Sequence, residues 1–233
     1  MKTRALLIPL LTVLLGTATS QATLLYDVTF TGDTPNASPP ETTSPIAGAT
    51  TTNPYNVTPA IGDASTLHAW VRNTGYPTLG DGTVLELLDN DTSGLQAGAD
   101  FQLNAADVVS TTSANKAVTI TWDMLRPTVG EGLLFMNLKN SAGSSFKQII
   151  WSSSGTYFVV DSEQITSNFA QAYAYTFELA YNTATLRVLV DSDLKGSYSF
   201  DSNENFGKVS FSTSSTGHGL IALDNFKIET SIP

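Results

Sequence analysis

Short stretches of alternating apolar and polar residues, parted by polar turns, recur throughout this chain, and none keeps a sustained helical period. Successive side chains of a strand point to opposite faces, so such stretches suit half-buried strands. The clearest runs from Ala117 to Met124, where Val118, Ile120, Trp122 and Met124 alternate with Thr119, Thr121 and Asp123. In Ala172 to Tyr181, Tyr173, Tyr175, Phe177, Leu179 and Tyr181 share one face. Trp122, Tyr175 and Phe177 are expected in the core. Further strands are expected at 24–31, 67–72, 84–88, 99–103, 133–139, 146–151, 157–161, 186–190, 197–200, 209–213 and 219–233. Asn140-Ser141-Ala142-Gly143 and Asn182-Thr183 read as turns. Roughly a dozen short strands at this spacing predict an all-β fold, a two-sheet antiparallel sandwich. One helical turn is expected within 162–172.

The two ends of the domain are marked by composition. Lys2 and Arg4 precede an apolar run from Ala5 to Leu15, and small residues follow. That run is short for a bilayer, so residues 1–22 read as a cleaved signal peptide and 23–233 as a single secreted domain with no membrane insertion. Residues 32–63 hold Pro35, Pro39, Pro40, Pro45, Pro54 and Pro59. Proline removes a backbone donor, so this stretch excludes helix and central strand and predicts a long surface loop. No cysteine is present, so no disulfide can hold the fold. The formal charge is −10 over the whole chain. Loss of Lys2 and Arg4 makes the mature domain more acidic still. Such a chain repels nucleic acid and anionic membranes and tolerates neutral glycans, cations or basic partners.

The last strand carries one misplaced charge. By strict alternation Leu220, Ala222, Phe226 and Ile228 share a face, and Asp224 sits among them. A carboxylate there is costly unless it is paired, hydrogen-bonded or bound to a metal.

Three segments together carry a likeness: Leu25-Tyr26-Asp27-Val28-Thr29-Phe30-Thr31-Gly32-Asp33-Thr34-Pro35, Gly82-Thr83-Val84-Leu85-Glu86-Leu87-Leu88-Asp89-Asn90-Asp91, and Gly219-Leu220-Ile221-Ala222-Leu223-Asp224-Asn225-Phe226. They resemble the secreted laminin-G-like or concanavalin-A-like jelly rolls of environmental bacteria. The resemblance implies a jelly-roll sandwich at the cell surface or outside it, with the first and last strands side by side. It also implies a structural Ca²⁺ between those strands, with Asp27, Asp33 and Asp224 as ligands. Ser231-Ile232-Pro233 resembles the opening of a PEP-CTERM sorting tail. A weaker metal candidate is Asp89-Asn90-Asp91-Thr92-Ser93-Gly94 with Asp100, where Asp89, Asp91, Ser93 and Asp100 echo a calcium loop flanked by strands instead of helices.

His68, Trp70, Arg72 and Tyr76 combine aromatic faces with polar groups within nine residues. Sugars stack on the former and bond the latter, so these four are the candidate glycan-binding residues. Trp151, Tyr157 and the Tyr173, Tyr175, Tyr181 row are other candidate sugar platforms. His68, Arg72 and Tyr76 are also the candidate catalytic set if the chain is a lyase. Glu86, Asp123, Glu131 and Glu178 offer carboxylates for glycoside hydrolysis, without the spacing of a laminarinase-like jelly roll. No nucleophile elbow, zinc helix, phosphate loop or dinucleotide fingerprint occurs. The sequence therefore favours a non-catalytic carbohydrate-binding or adhesion module. A polysaccharide-degrading enzyme and a structural envelope or matrix protein are the alternatives.

Overall fold

In the computed structural model the described residues are 22–28, 30, 55–58, 67–72, 79, 83–90, 96–113, 116–126, 132–154, 156–166, 171–214 and 219–232. They form strands and turns only. The first strands are β1 (Thr23–Val28), β2 (Tyr55–Thr58), β3 (Leu67–Arg72), β4 (Val84–Asp89) and β5 (Gly98–Gln102). The middle ones are β6 (Ala117–Leu125), β7 (Leu134–Lys139), β8 (Ser145–Trp151), β9 (Tyr157–Val160) and β10 (Glu163–Thr166). The last are β11 (Tyr173–Ala180), β12 (Thr185–Val190), β13 (Asp193–Ser199), β14 (Lys208–Thr213) and β15 (Gly219–Ser231). No helix among these residues is long and apolar enough to cross a membrane.

All pairings are antiparallel, and they build two sheets. The larger runs β13-β12-β11-β6-β15-β4-β3, with β1 added beside β15. The smaller runs β10-β9-β8-β7-β14-β5-β2. The thirteen-residue β15 lies against β6 on one side, and β4 and β1 share its other side end to end. The first and last strands are therefore neighbours, as the sequence led one to expect.

The core fills the space between the sheets. Val118, Ile120, Trp122 and Met124 of β6 point into it, together with Tyr175, Phe177 and Leu179 of β11. The Trp122 ring stacks on Tyr175 at 5.2 Å and meets Phe177, Phe211 and Trp151 edge-on. Phe101 stacks on Phe226 at 3.7 Å between the sheets. Each large side chain buried this way contributes about 2–3 kcal/mol of transfer free energy. Trp151, Tyr175 and Tyr181 are buried in this core and present no platform for a sugar.

Polar pins cross the same layer. The Tyr26 hydroxyl donates to the Gln102 carbonyl at 2.7 Å. The Thr213 hydroxyl donates to Asp89 Oδ2 at 3.0 Å and accepts from the Ala97 N–H at 3.0 Å. These bonds satisfy groups that would otherwise be costly inside. Burial pushes the Tyr26 phenol well above its ordinary value, with the Asp107 carboxylate adding to the effect.

Two tight hairpins share a chemistry. Asp161-Ser162 joins β9 to β10 and Asp191-Ser192 joins β12 to β13, and all four residues have positive φ between 50° and 71°. Two such residues in succession match the twist of flanking strands, and Asp tolerates that conformation. The first hairpin corrects the expected helical turn within 162–172 as far as residue 166, and residues 167–170 lie outside the described residues. Residues 163–166 are the edge strand β10, because the turn sends the chain straight back along β9. The expected turn at Asn140 to Gly143 is present, with the Gly143 N–H bonded to the Asn140 carbonyl at 2.9 Å. The signal segment, most of the long loop at 32–63, Asp33, Tyr76, Asp91 and Ser93 lie outside the described residues.

Candidate functional site

The outward face of the larger sheet gathers more of the candidate residues than any other surface. On β3, Ala69 and Val71 enter the core, so Trp70 and Arg72 point away from it, and His68 holds the same register position as they do. His68, Trp70 and Arg72 stand opposite Leu88, Glu86 and Val84 of β4. Arg72 Nε donates to Glu86 Oε1 at 2.9 Å, and its guanidinium carbon lies 5.1 Å from the Trp70 ring centroid. Cation–π attraction and the charge-assisted bond therefore hold Arg72 from two directions. Trp70 and Arg72 keep part of their surface in solvent, whereas Glu86 is only 7% exposed.

Farther along the same face, β15 departs from strict alternation. A bulge at Asp224-Asn225 shifts its register against β6, and Asn225 has a φ of 50°. The extra residue swaps the faces. Ile221 and Leu223 enter the core before the bulge, and Phe226 and Ile228 enter it afterwards. The expectation that Leu220, Ala222, Phe226 and Ile228 share one face with Asp224 is thereby corrected. Asp224 is on the outer face and not in the core, because one inserted residue changes which side each side chain takes.

Asp224 is 1% exposed and stands opposite Asp123 of β6. Like charges opposite each other on a sheet repel. Asn225 moderates this by donating to both: its N–H bonds Asp224 Oδ1 at 2.8 Å and its side-chain amide bonds Asp123 Oδ2 at 2.6 Å. Between these carboxylates and Trp70, Leu79 packs with Val84, Ala222 and Leu125 in a small apolar cluster. This cluster is separate from the main core, and Leu79 covers the middle of the outer face.

The charges of this face do not balance. Among the described residues of β1, β3, β4, β6, β11, β12 and β15 it presents Asp27, Glu86, Asp123, Glu178, Asp224 and Glu229 against Arg72, Arg187 and Lys227, and at the sheet's edge Asp193 and Lys195 of β13 pair with each other. Each cation is already engaged, Arg72 by Glu86, Arg187 by Glu178 and Lys227 by Glu229.

The proposed calcium ligands are divided. Asp27 is exposed on this face and stands opposite Lys227, not opposite Asp224. Asp89 faces the core and accepts from Thr213, whereas Asp100 lies on the outer side of the smaller sheet, bonded by Lys208 and Ser210. The loop of strands around Asp89 thus sends its two outermost carboxylates to different surfaces. Among the described residues no three carboxylate or imidazole groups converge as a metal site would need.

Sequence reasoning singled out Trp70, Arg72 and Asp224, and noted Glu86 and Asp123 only as loose carboxylates. It missed Asn225. The Asp-Asn pair inside an otherwise apolar strand was the available signal, since Asn readily takes positive φ.

No family model matches the sequence, and no curated protein does. Solved structures do match. A sialidase aligns with a TM-score of 0.56 at 14% identity, over 75% of this chain and 16% of that one. The cellulose induced protein Cip1 gives 0.52 at 9% identity, over 75% of this chain and 90% of that one. The alginate lyase from Corynebacterium sp. gives 0.50 at 15% identity, over 76% and 94%. At such identities the likeness defines the fold, a concanavalin-A-like jelly-roll sandwich of two antiparallel sheets. The chain corresponds to only about a sixth of the sialidase's length.

Proposed function

We propose that this protein is an exported, non-catalytic carbohydrate-binding or adhesion module that acts at the cell surface or outside it. The observation that carries the reading is the Trp70, Arg72 and Glu86 group, a part-exposed indole beside a fixed guanidinium and carboxylate on an outer sheet face. An aromatic face supplies apolar stacking area, and fixed polar groups orient a ligand. Neighbours of the same fold, a sialidase, a cellulose induced protein and an alginate lyase, add weight to a glycan partner. His68 and Tyr76 belong to the same reading as further contacts.

The test is a broad glycan array probed with the mature domain and with Trp70→Ala. Binding by the first and its loss in the second is the expected result. A blank array with folded protein removes the glycan reading and favours a structural envelope or matrix role.

One observation favours a second reading, a polysaccharide-degrading enzyme. Glu86, Asp123 and Asp224 are carboxylates on one face, which glycoside cleavage requires. A lyase built on His68, Arg72 and Tyr76 is less favoured, because Glu86 already engages the guanidinium that would meet a uronate. New reducing ends from a polysaccharide panel, absent with Glu86→Gln, would replace the first reading with this one.

A structural Ca²⁺ at Asp224 belongs to the proposal with Asp33 as a further donor, since Asp27 stands opposite Lys227 and not opposite Asp224. Thermal unfolding in calcium and in chelator tests it: an upward shift of the midpoint with calcium, lost in Asp224→Asn, is the expected outcome. The laminin-G-like attribution and a PEP-CTERM tail are tested by the gene's downstream sequence.

A further inference from the structure

From the charge of the outer face we infer that its glycan carries amines, a hexosamine polymer, and that uronate polymers are rejected. This inference rests on the carbohydrate-binding reading and specifies its ligand. Trp70 and its neighbours mark the site, and the carboxylates decide which saccharides it accepts.

The argument is a comparison of cations with carboxylates. The face presents Asp27, Glu86, Asp123, Glu178, Asp224 and Glu229, and its Arg72, Arg187 and Lys227 are each held by one of the glutamates. Of the other described cations, Lys195 at the β13 edge pairs with Asp193, Lys147 with Asp161 and Lys208 with Asp100, and Arg126 donates to the Ser152 and Gly132 carbonyls.

The smaller sheet has no such excess. Its outer strand positions carry Asp100 with Lys139 and Lys208, and Lys208 bonds Asp100 at 3.2 Å. The acidic excess is a property of one face, beyond that of the chain as a whole.

Arg72 is the group on this face best suited to a uronate carboxylate, and it already donates to Glu86 at 2.9 Å. A bound uronate would have to displace that bond and approach several further carboxylates. An ammonium group meets the opposite field. Asp123 is half-buried, its Oδ2 fixed by Asn225, and it offers a preorganised acceptor beside Asp224. Charges open to solvent act over about 8–10 Å at physiological salt, so the exposed Asp27 and the half-buried Asp123 each reach a ligand seated near them.

The experiment is isothermal titration of the mature protein with three oligosaccharide series of equal length, in mildly acidic buffer. They are β-1,4-linked glucosamine, its N-acetylated counterpart and an oligouronate. The amine series is expected to bind at least tenfold tighter than the acetylated one, and the advantage should shrink several-fold when salt is raised. Asp123→Asn should cut the advantage about threefold and leave the acetylated series unchanged. Asp27→Asn lowers the charge of the same face at an exposed position and should act in the same direction, so a misfolded Asp123 variant does not end the test. Asp201→Asn, on a distant turn, should change nothing. An equal loss there would assign the effect to overall charge and overturn the inference. Binding of the acetylated or uronate series with no amine preference overturns it too, and leaves the carbohydrate reading standing. Binding of none of the three overturns both.

Discussion

The two outer faces of the sandwich are made from the same kind of strand and differ in what they bury. On the smaller sheet Gln148, Asn137 and Asp100 of the outward row are partly or fully solvent-exposed and only the small Ser210 between them is buried, the polar groups bonding one another. On the larger sheet the outward row holds Trp70, Glu86, Ala222 and Leu125, and only Trp70 is more than slightly exposed. A solvated outer face needs no special chemistry. A face that buries carboxylates beside an indole incurs desolvation and charge repulsion, and such arrangements cluster where a protein binds or reacts. Under the proposed function, the smaller sheet gives support and the larger one recognition.

The largest test of this contrast is Glu86→Ala. Removing a buried carboxylate from Arg72 should lower stability by about 2–3 kcal/mol, because the guanidinium loses its partner in a partly desolvated place. Urea unfolding measures it, and a loss near zero would place Glu86 with ordinary surface residues. Next, Trp70→Ala should weaken glycan binding tenfold or more at nearly unchanged stability. Asn137→Ala on the opposite face should alter binding less than twofold, and titration of both variants compares the faces directly.

A third test uses the layer between the faces. Burial pushes the phenols of Tyr26 and Tyr181 upward, and burial together with the Glu163 carboxylate pushes Tyr198 up to about 12. Unfolded phenols ionise near 10. The folded state therefore holds their protons more tightly, so this stabilisation is complete below about pH 10 and is lost as pH rises through the folded values. Denaturant midpoints measured from pH 8 upward should fall beyond about pH 10. Tyr26→Phe should make that fall shallower, while costing about 1 kcal/mol at neutral pH for its bond to Gln102. Smallest of all, Asp100→Ala should change stability by about 1 kcal/mol or less, since its ion pair with Lys208 is partly open to solvent.

Much of the fold was legible in the sequence, because inward residues of central strands follow a strict period. The β6 and β11 alternations placed Trp122, Tyr175 and Phe177 correctly. The strands that escaped notice, β2 and β10, are both edges of the smaller sheet. An edge strand pairs on one side only, so it can be short, polar and flanked by proline, as Tyr55–Thr58 is by Pro54 and Pro59. The Asp-Ser hairpins were missed because their turn residues are not the Asn-Gly pair that usually marks such turns. The site was half legible. Trp70 and Arg72 stood out by type, but Asp224 was put on the wrong face because a bulge cannot be read from period alone. Glu86 gave no sign that the structure would pair it with Arg72, since that pairing is set by strand neighbours and not by spacing.

The position of β15 also governs how the molecule assembles. This strand follows the other described strands in the chain, yet among them β6 and β4 meet only through it. Before it inserts, β13-β12-β11-β6 and β4-β3 are two fragments with bare inner edges, and β1 has no neighbour in its sheet. Closing that gap joins residues far apart in sequence, the kind of step that slows folding in β proteins. An open slot between two exposed edges also invites pairing with another chain. The strand that carries Asp224 and Asn225 is thus the closing piece of the larger sheet, so the outer face exists as a surface only once folding is nearly finished.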